Sequence, residues 1–368
     1  LATITNDFGG TVTVLGASSV TIDDANAITF GSISAAGAVD IDAGGNVTLN
    51  GALTGATTVD ITSDANASNN GTIDVNAKIT ASGVVSLDAD GSITIDAAID
   101  PTTVNLDADD DVTVNAAVVA TTAINVRAGN NDGTGNATIS GTGSLLTSAA
   151  GSDVFIQSGA TTGLISLDGN VTAVDRLSLT SNGTGNISQT GGTILAAELQ
   201  VVAVGNATLN QATNNVGTLA ADLNPGIFAY TDADSVIIGS LATPGITTGN
   251  GGNGGAVTIN ATSGTITVSN AIDTSPGTGG AISISGSVTL NAALTAAGGT
   301  ITLNGNTATT SDIVITQALI SDGSISLTAP RDIIVGALVQ TTGVGSDVTL
   351  TADSPAGDGV GGVRVLAA

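Results

Sequence analysis

Short apolar-polar-apolar triplets return along this chain at a spacing of about 20 residues, and that recurrence leaves few folds open. Early examples are Val39-Asp40-Ile41, Val59-Asp60-Ile61, Val85-Ser86-Leu87, Ile93-Thr94-Ile95, Val104-Asn105-Leu106 and Val112-Thr113-Val114. Late ones include Val257-Thr258-Ile259, Ile301-Thr302-Leu303 and Val348-Thr349-Leu350. Alternation with period 2 means a strand with one buried and one wet face. Val85 to Val104 is 19 residues, Ile93 to Val112 is again 19, and Val39 to Val59 is 20. Two strong strands per period, with a weaker third such as Ala97–Ile99 or Ala116–Val119, describe one coil of a solenoid. A hairpin meander would need a turn dipeptide at every reversal and would show no such register.

The fold class expected is therefore all-β: a parallel β-helix (β-solenoid) with about 20 residues per coil. Dividing 368 residues by that period gives roughly 18 coils, a rod on the order of 85 Å at the ordinary strand spacing. Val85 over Val104, and Ile93 over Val112, would form inward apolar ladders. We expect a single continuous solenoid over residues 1–368. Insertions lengthen coils at Ala65–Gly71 and Gly129–Gly135, and residues 210–256 read as irregular coils with Gly- and Pro-rich loops around Pro225, Pro244 and Thr248–Gly255.

Composition points the same way. There is one Glu (Glu198) and one Lys (Lys78), and Met, Trp, His and Cys are absent. The residues that favour exposed helix surface are thus nearly missing, while strand and turn formers abound. A net charge of −26 with five basic residues leaves no surface for nucleic acid or anionic membranes. No apolar run reaches membrane-spanning length. Without cysteine there is no disulfide framework and no thiolate chemistry. Beginning at Leu1, with no initiator Met and no signal peptide, the chain reads as a processed product or a piece of something longer.

The triplets, best seen in Val85-Ser86-Leu87-Asp88-Ala89-Asp90-Gly91-Ser92-Ile93-Thr94-Ile95, resemble the degenerate repeats of filamentous-haemagglutinin-type exoproteins and β-strand-repeat bacterial surface proteins. That resemblance implies a right-handed coil, export from the cell, and a role in adhesion or matrix. It covers the repeat region only.

Candidate chemistry is sparse. Asp88, Asp90, Asp107, Asp109 and Asp111, with the adjoining Asp110, fall near one point of consecutive coils, and Asp40 and Asp42 hold a similar place earlier. Stacked carboxylates could bind Ca2+, although the twelfth-position Glu of a calcium loop is missing. The alternative is a solvated Asp turn bonding its own backbone. The four arginines and Lys78 are scattered singly, so neither a tuned acid nor a basic partner for a carboxylate pair is in view, and no enzyme activity is expected. Outward Thr48, Thr94, Thr113, Thr258, Thr267, Thr289, Thr302 and Thr349 would line up as hydroxyl rows. Ser, Asn and Asp interrupt them, which argues against an ice-binding face. Sequons at Asn46, Asn136, Asn182 and Asn206 arise readily in this composition.

Among five aromatic residues, Phe155 should project outward because Val154 and Ile156 flank it. We therefore expect subunit contacts at Phe155 and, beside the irregular loops, at Phe228 and Tyr230; burial beneath a loop is the alternative. Neither end shows a capping helix, so unpaired strand edges would template further pairing. The expected function is a non-enzymatic extracellular structural protein, secreted in the bacterial manner. It would join copies of itself head to tail into a filament or matrix fibre. The alternative is an adhesin stalk that binds a host, a glycan or an abiotic surface through loops in Asn210–Gly255. A polysaccharide-acting β-helix enzyme stands third.

Overall fold

The coil Val84–Asp100 shows how the triplets become structure. A long strand, Val84–Ala89, turns into Ile93–Ile95, which turns into Ile99–Asp100. Each strand pairs in parallel with its equivalent in the next coil: Val85 with Val104, Ile93 with Val112 and Ile99 with Val118. Three parallel ladders result, termed first, second and third in chain order. In this computed structural model the described residues are 6–64, 71–130, 133–249, 253–275, 278–305, 311–354 and 359–366, and none of them is helical. The chain is a β-solenoid of about 15 turns.

The chain forms two compact units. One comprises Leu1–Gly185 with Thr190–Thr193, and the other Asn186–Gln189 with Ile194–Ala368. Within the first unit, the first ladder aligns Val59, Val85, Val104, Ile124 and Val154, and the second aligns Val47, Ile73, Ile93, Val112 and Ala137. Within the second unit, Phe228, Val257, Ile282, Ile301, Ile325 and Val348 form the second ladder, and Val236, Ile266, Val288, Ile313, Ile333 and Val363 the third.

The turn count is lower than the simple division gave because corners lengthen many coils. Val59 pairs with Val85, and Ile124 with Val154, steps well beyond the 19 residues of the tightest coils. Residues 65–70, inside the first of these insertions, lie outside the described residues, as do 131–132 in the second.

Inward positions are dry. Val85, Leu87, Ile93, Ile95 and Ile99 are fully buried, as are their equivalents in neighbouring coils. Burying each such side chain contributes about 1.5–3 kcal/mol. Val, Ile, Leu and Ala fill most of the interior, and Phe30, Phe228 and Tyr230 are the largest side chains buried in it. Ala43, Ala89 and Ala108 end their first-ladder strands at tight corners.

One corner also carries a polar relay. Asn46 Oδ1 accepts the Thr72 N–H (3.0 Å), Asp111 Oδ1 accepts the Asn136 N–H (2.7 Å), and Asn136 Oδ1 accepts the Leu164 N–H (3.0 Å). In the second unit Asn186 and Asn206 serve Asn206 and Ile227 in the same way. Each side chain satisfies a corner amide one coil away, where no strand partner is present. Three of the sequon asparagines, Asn46, Asn136 and Asn206, are thus engaged as corner caps.

Candidate functional site

Because strands alternate, every outward residue belongs to a row that climbs the stack. In the first unit, one first-ladder row reads Asp23, Asp42, Thr62, Asp88, Asp107, Arg127, Gln157. Its neighbour reads Thr21, Asp40, Asp60, Ser86, Asn105, Asn125, Phe155. Carboxylates one rung apart repel, and partial burial weakens their hydration. Asp42 is accordingly held above the usual carboxylate range, by burial first and then by Asp40, Asp23 and Asp60. Asp88 is raised by burial, Asp107, Asp109 and Asp60. Asp60 and Asp90 move the same way, each through burial and then neighbouring carboxylates. Asp107 is raised by burial, although Arg127 pulls it back.

Of the five aspartates considered for Ca2+, Asp88 and Asp107 pair on adjacent rungs. Asp90 and Asp109 sit just beyond them at the corner, and Asp90 is raised by burial and then by the Asp109 charge. Asp111 is engaged elsewhere, its Oδ1 taken by both the backbone and side-chain amides of Asn136. Among the described residues no three acidic side chains are gathered as a metal site.

Arg127 ends the acidic row. Its Nη1 lies 3.8 Å from Asp107 Oδ2, and its Cζ sits 5.7 Å from the centre of the Phe155 ring. Phe155 projects outward between fully buried Val154 and Ile156 and is half-buried beneath this guanidinium. Phe228 and Tyr230 do not reach the surface: both are fully buried. The expectation of a subunit contact at these two residues is corrected by strand parity, since Ala229 takes the outward position between them. The Tyr230 hydroxyl donates to Asp232 Oδ2 at 2.5 Å, and Asp232 also accepts the N–H groups of Val216 and Asp234, each at 3.0 Å. Burial pushes both Tyr230 and Asp232 upward.

The second ladder carries the hydroxyl row. Thr29, Thr48, Thr94, Thr113 and Thr138 occupy it in the first unit, broken by Asp74. Thr208, Thr258, Thr302 and Thr349 do so in the second, broken by Ala229. Thr267 and Thr289 stand in the third ladder instead.

Sequence reasoning missed a corner rule. Where a long insertion follows the first ladder, the last inward residue is a buried Ser or Thr whose hydroxyl donates to a glycine carbonyl at the loop's return. Ser63 donates to Gly71 (2.7 Å), Ser158 to Gly163 (2.9 Å), Thr248 to Gly255 (2.7 Å) and Thr274 to Gly280 (2.6 Å). Tight corners use Ala at Ala43, Ala89 and Ala108, whereas Asp24 and Ser321 hold the same place at two others, Ser321 donating to the Gly299 carbonyl one coil away. The signal was legible in the residue ending each first-ladder strand. Ala128 breaks the rule: before its long corner, Gly129 takes φ +65° and packs against Gly159.

Residues 210–256 supply ladder strands like any others, including Asn215–Leu223, Phe228–Asp232 and Ile246–Thr248. Their irregularity lies at corners. Asn214 exchanges two 2.8 Å amide hydrogen bonds with Gln189, and an antiparallel bridge joins Ser240 to Pro244.

No family model matches the chain, and no curated protein or solved structure shows significant similarity to it.

Proposed function

We propose that this chain is a non-enzymatic structural protein of the cell exterior, a subunit of a self-assembling filament or matrix fibre. The observation that carries this reading is the stacking itself: Val59, Val85, Val104, Ile124 and Val154 in the first unit, and Val257, Ile282, Ile301 and Ile325 in the second, form dry columns paired in parallel rung on rung. A repeat stack of this kind grows along one axis by adding equivalent rungs, which is what a fibre subunit requires. Imaging the purified chain across a concentration series, with sedimentation alongside, tests the reading: fibres that lengthen with concentration support it, and monodisperse particles refute it.

A stalk that presents loops is the second reading, favoured by the clustering of insertions at the corner after the first ladder. Shortening Leu241–Thr243, beside the Ser240–Pro244 bridge, would reduce surface or glycan binding under this reading and leave assembly intact. Wider deletion across 210–256 would remove Phe228, Tyr230 and their ladders, so binding lost that way would be uninformative.

A further inference from the structure

We propose that Asp100 cuts the chain at its own bond to Pro101 and passes the acyl group to Lys78, leaving an isopeptide bond between adjacent rungs. The step is a single-turnover self-processing and depends on neither the fibre reading nor the stalk reading.

The reacting groups meet at the corner that follows the third ladder of the first unit. Lys78 is the one lysine of the chain, and Asp100-Pro101 is its one Asp-Pro pair. Ile79 pairs with Ile99, and Thr80 with Asp100. Lys78, two residues before Thr80, reaches diagonally across the strands, as a long side chain can. Its Nζ lies 3.7 Å from Asp100 Oδ2, and both side chains are half-exposed. An exposed ion pair adds little to stability, so this contact is not what holds the corner. The backbone does that. The Pro101 carbonyl accepts the Thr121 N–H (3.3 Å), and the Thr102 N–H donates to the Gly83 carbonyl (2.8 Å). With the chain fixed on both sides of the Asp100–Pro101 bond, the carboxylate and the amine stay where they can react.

Proline makes this bond the susceptible one, because its nitrogen belongs to a tertiary amide and departs as a secondary amine. An Asp100 carboxylate oxygen attacks the Asp100 main-chain carbonyl carbon and closes a cyclic anhydride, a carboxylate acting as nucleophile. The C–N bond to Pro101 breaks, its electron pair stays on nitrogen, and that nitrogen takes a proton from the Lys78 ammonium. Lys78 is then a neutral amine beside the anhydride. Its Nζ attacks Asp100 Cγ, and the main-chain carboxylate leaves with the C–O electron pair. The proton shed by Nζ passes to the Pro101 nitrogen. The products are a Lys78–Asp100 amide, an α-carboxylate on Asp100 and a Pro101 ammonium. Water is not consumed, and the net charge is unchanged.

The cut pieces do not separate. Val85 still pairs with Val104, Ile93 with Val112 and Ile99 with Val118 across the break. The new amide spans residues 78–100 and staples one rung of the third ladder to the next.

The experiment incubates the 368-residue chain at neutral pH over several weeks. Samples then go to denaturing electrophoresis, intact-mass measurement and tandem mass spectrometry. The expected result is two fragments, 1–100 and 101–368, whose masses sum to that of the parent. The first should be one water lighter than its hydrolysed form, with Lys78 resistant to trypsin and joined to Asp100. Native size should not change. Asp100→Asn should lose the scission. Lys78→Arg, which keeps the positive charge but offers no amine, should lose the linked fragment and give only the hydrolysed one. Both positions are exposed, so circular dichroism should match the parent in each variant. An uncut parent would overturn the proposal. Fragments that have gained a water would overturn the transfer to Lys78, and so would a linked fragment that persists in Lys78→Arg.

Discussion

Arg127 lies one rung above Asp107, with its Nη1 3.8 Å from the Asp107 carboxylate, and it is the first cation in a row that otherwise stacks Asp23 on Asp42 and Asp88 on Asp107. Below it, like charges accumulate with only Thr62 between the two pairs. The row is thus a place where charge opposes folding, and mutation there should stabilise.

Asp88→Asn is expected to raise the melting temperature at pH 7 and low salt, by removing repulsion from Asp107, Asp109 and Asp60. Opposed like charges on a sheet cost about 0.2–1 kcal/mol, and added salt should shrink the gain. Arg127→Ala should act in the opposite direction, releasing Asp107 and uncovering Phe155. Equal melting temperatures for parent and Asp88→Asn at low salt would count against the repulsion.

The pH dependence should differ between regions. Asp42, Asp60, Asp88, Asp90 and Asp107 are raised when folded, so the folded first unit takes up protons before the unfolded chain does. Its stability should rise as pH falls from neutral toward the ordinary carboxylate value of 3.8, and decline again as pH is raised. Asp312 behaves oppositely. Its hydrogen bonds from Arg331 hold it below that value, so its contribution is present above 3.8 and is lost only under stronger acid. Amide exchange followed by mass spectrometry, at pH 7 and pH 5 with intrinsic rates corrected, should show slower opening of the acidic coils at pH 5. Faster opening there would refute the sign.

Tyr230→Phe should destabilise the second unit by about 1–3 kcal/mol, because the Asp232 carboxylate would stay buried with one donor fewer. Asp232→Asn should cost a similar amount, since the Val216 and Asp234 amides lose a charged acceptor. Chemical denaturation of each single mutant and the double mutant measures their coupling. Additive losses would mean that the hydroxyl and the carboxylate do not act together.

The corner rule yields a paired test. Ser158→Ala removes the donor to Gly163 and should cost roughly 1 kcal/mol. Ala108→Ser puts a hydroxyl into a dry corner now packed by a methyl group, and should also destabilise. A neutral outcome for Ser158→Ala would show that the loop closes without that hydrogen bond.

Much of the architecture was present in the order of residues. Ile93-Thr94-Ile95 and its partner 19 positions on declare both the strand and its neighbour, because an inward apolar side chain is kept dry by another apolar side chain one rung away. The same parity placed Phe155 outside. It also places Phe228 and Tyr230 inside, with Ala229 outward between them.

Other features required the fold. The turn count depended on where corner insertions fell, since insertion length changes spacing without altering the ladders. Asp107 acquired Arg127 as a neighbour, and Asp111 acquired Asn136, only when the coil lengths brought them onto adjacent rungs. Local alternation comes from each strand's own side chains, so it can be read along the chain. Contacts between rows depend on every corner in the intervening coil, and only the closed stack sums them.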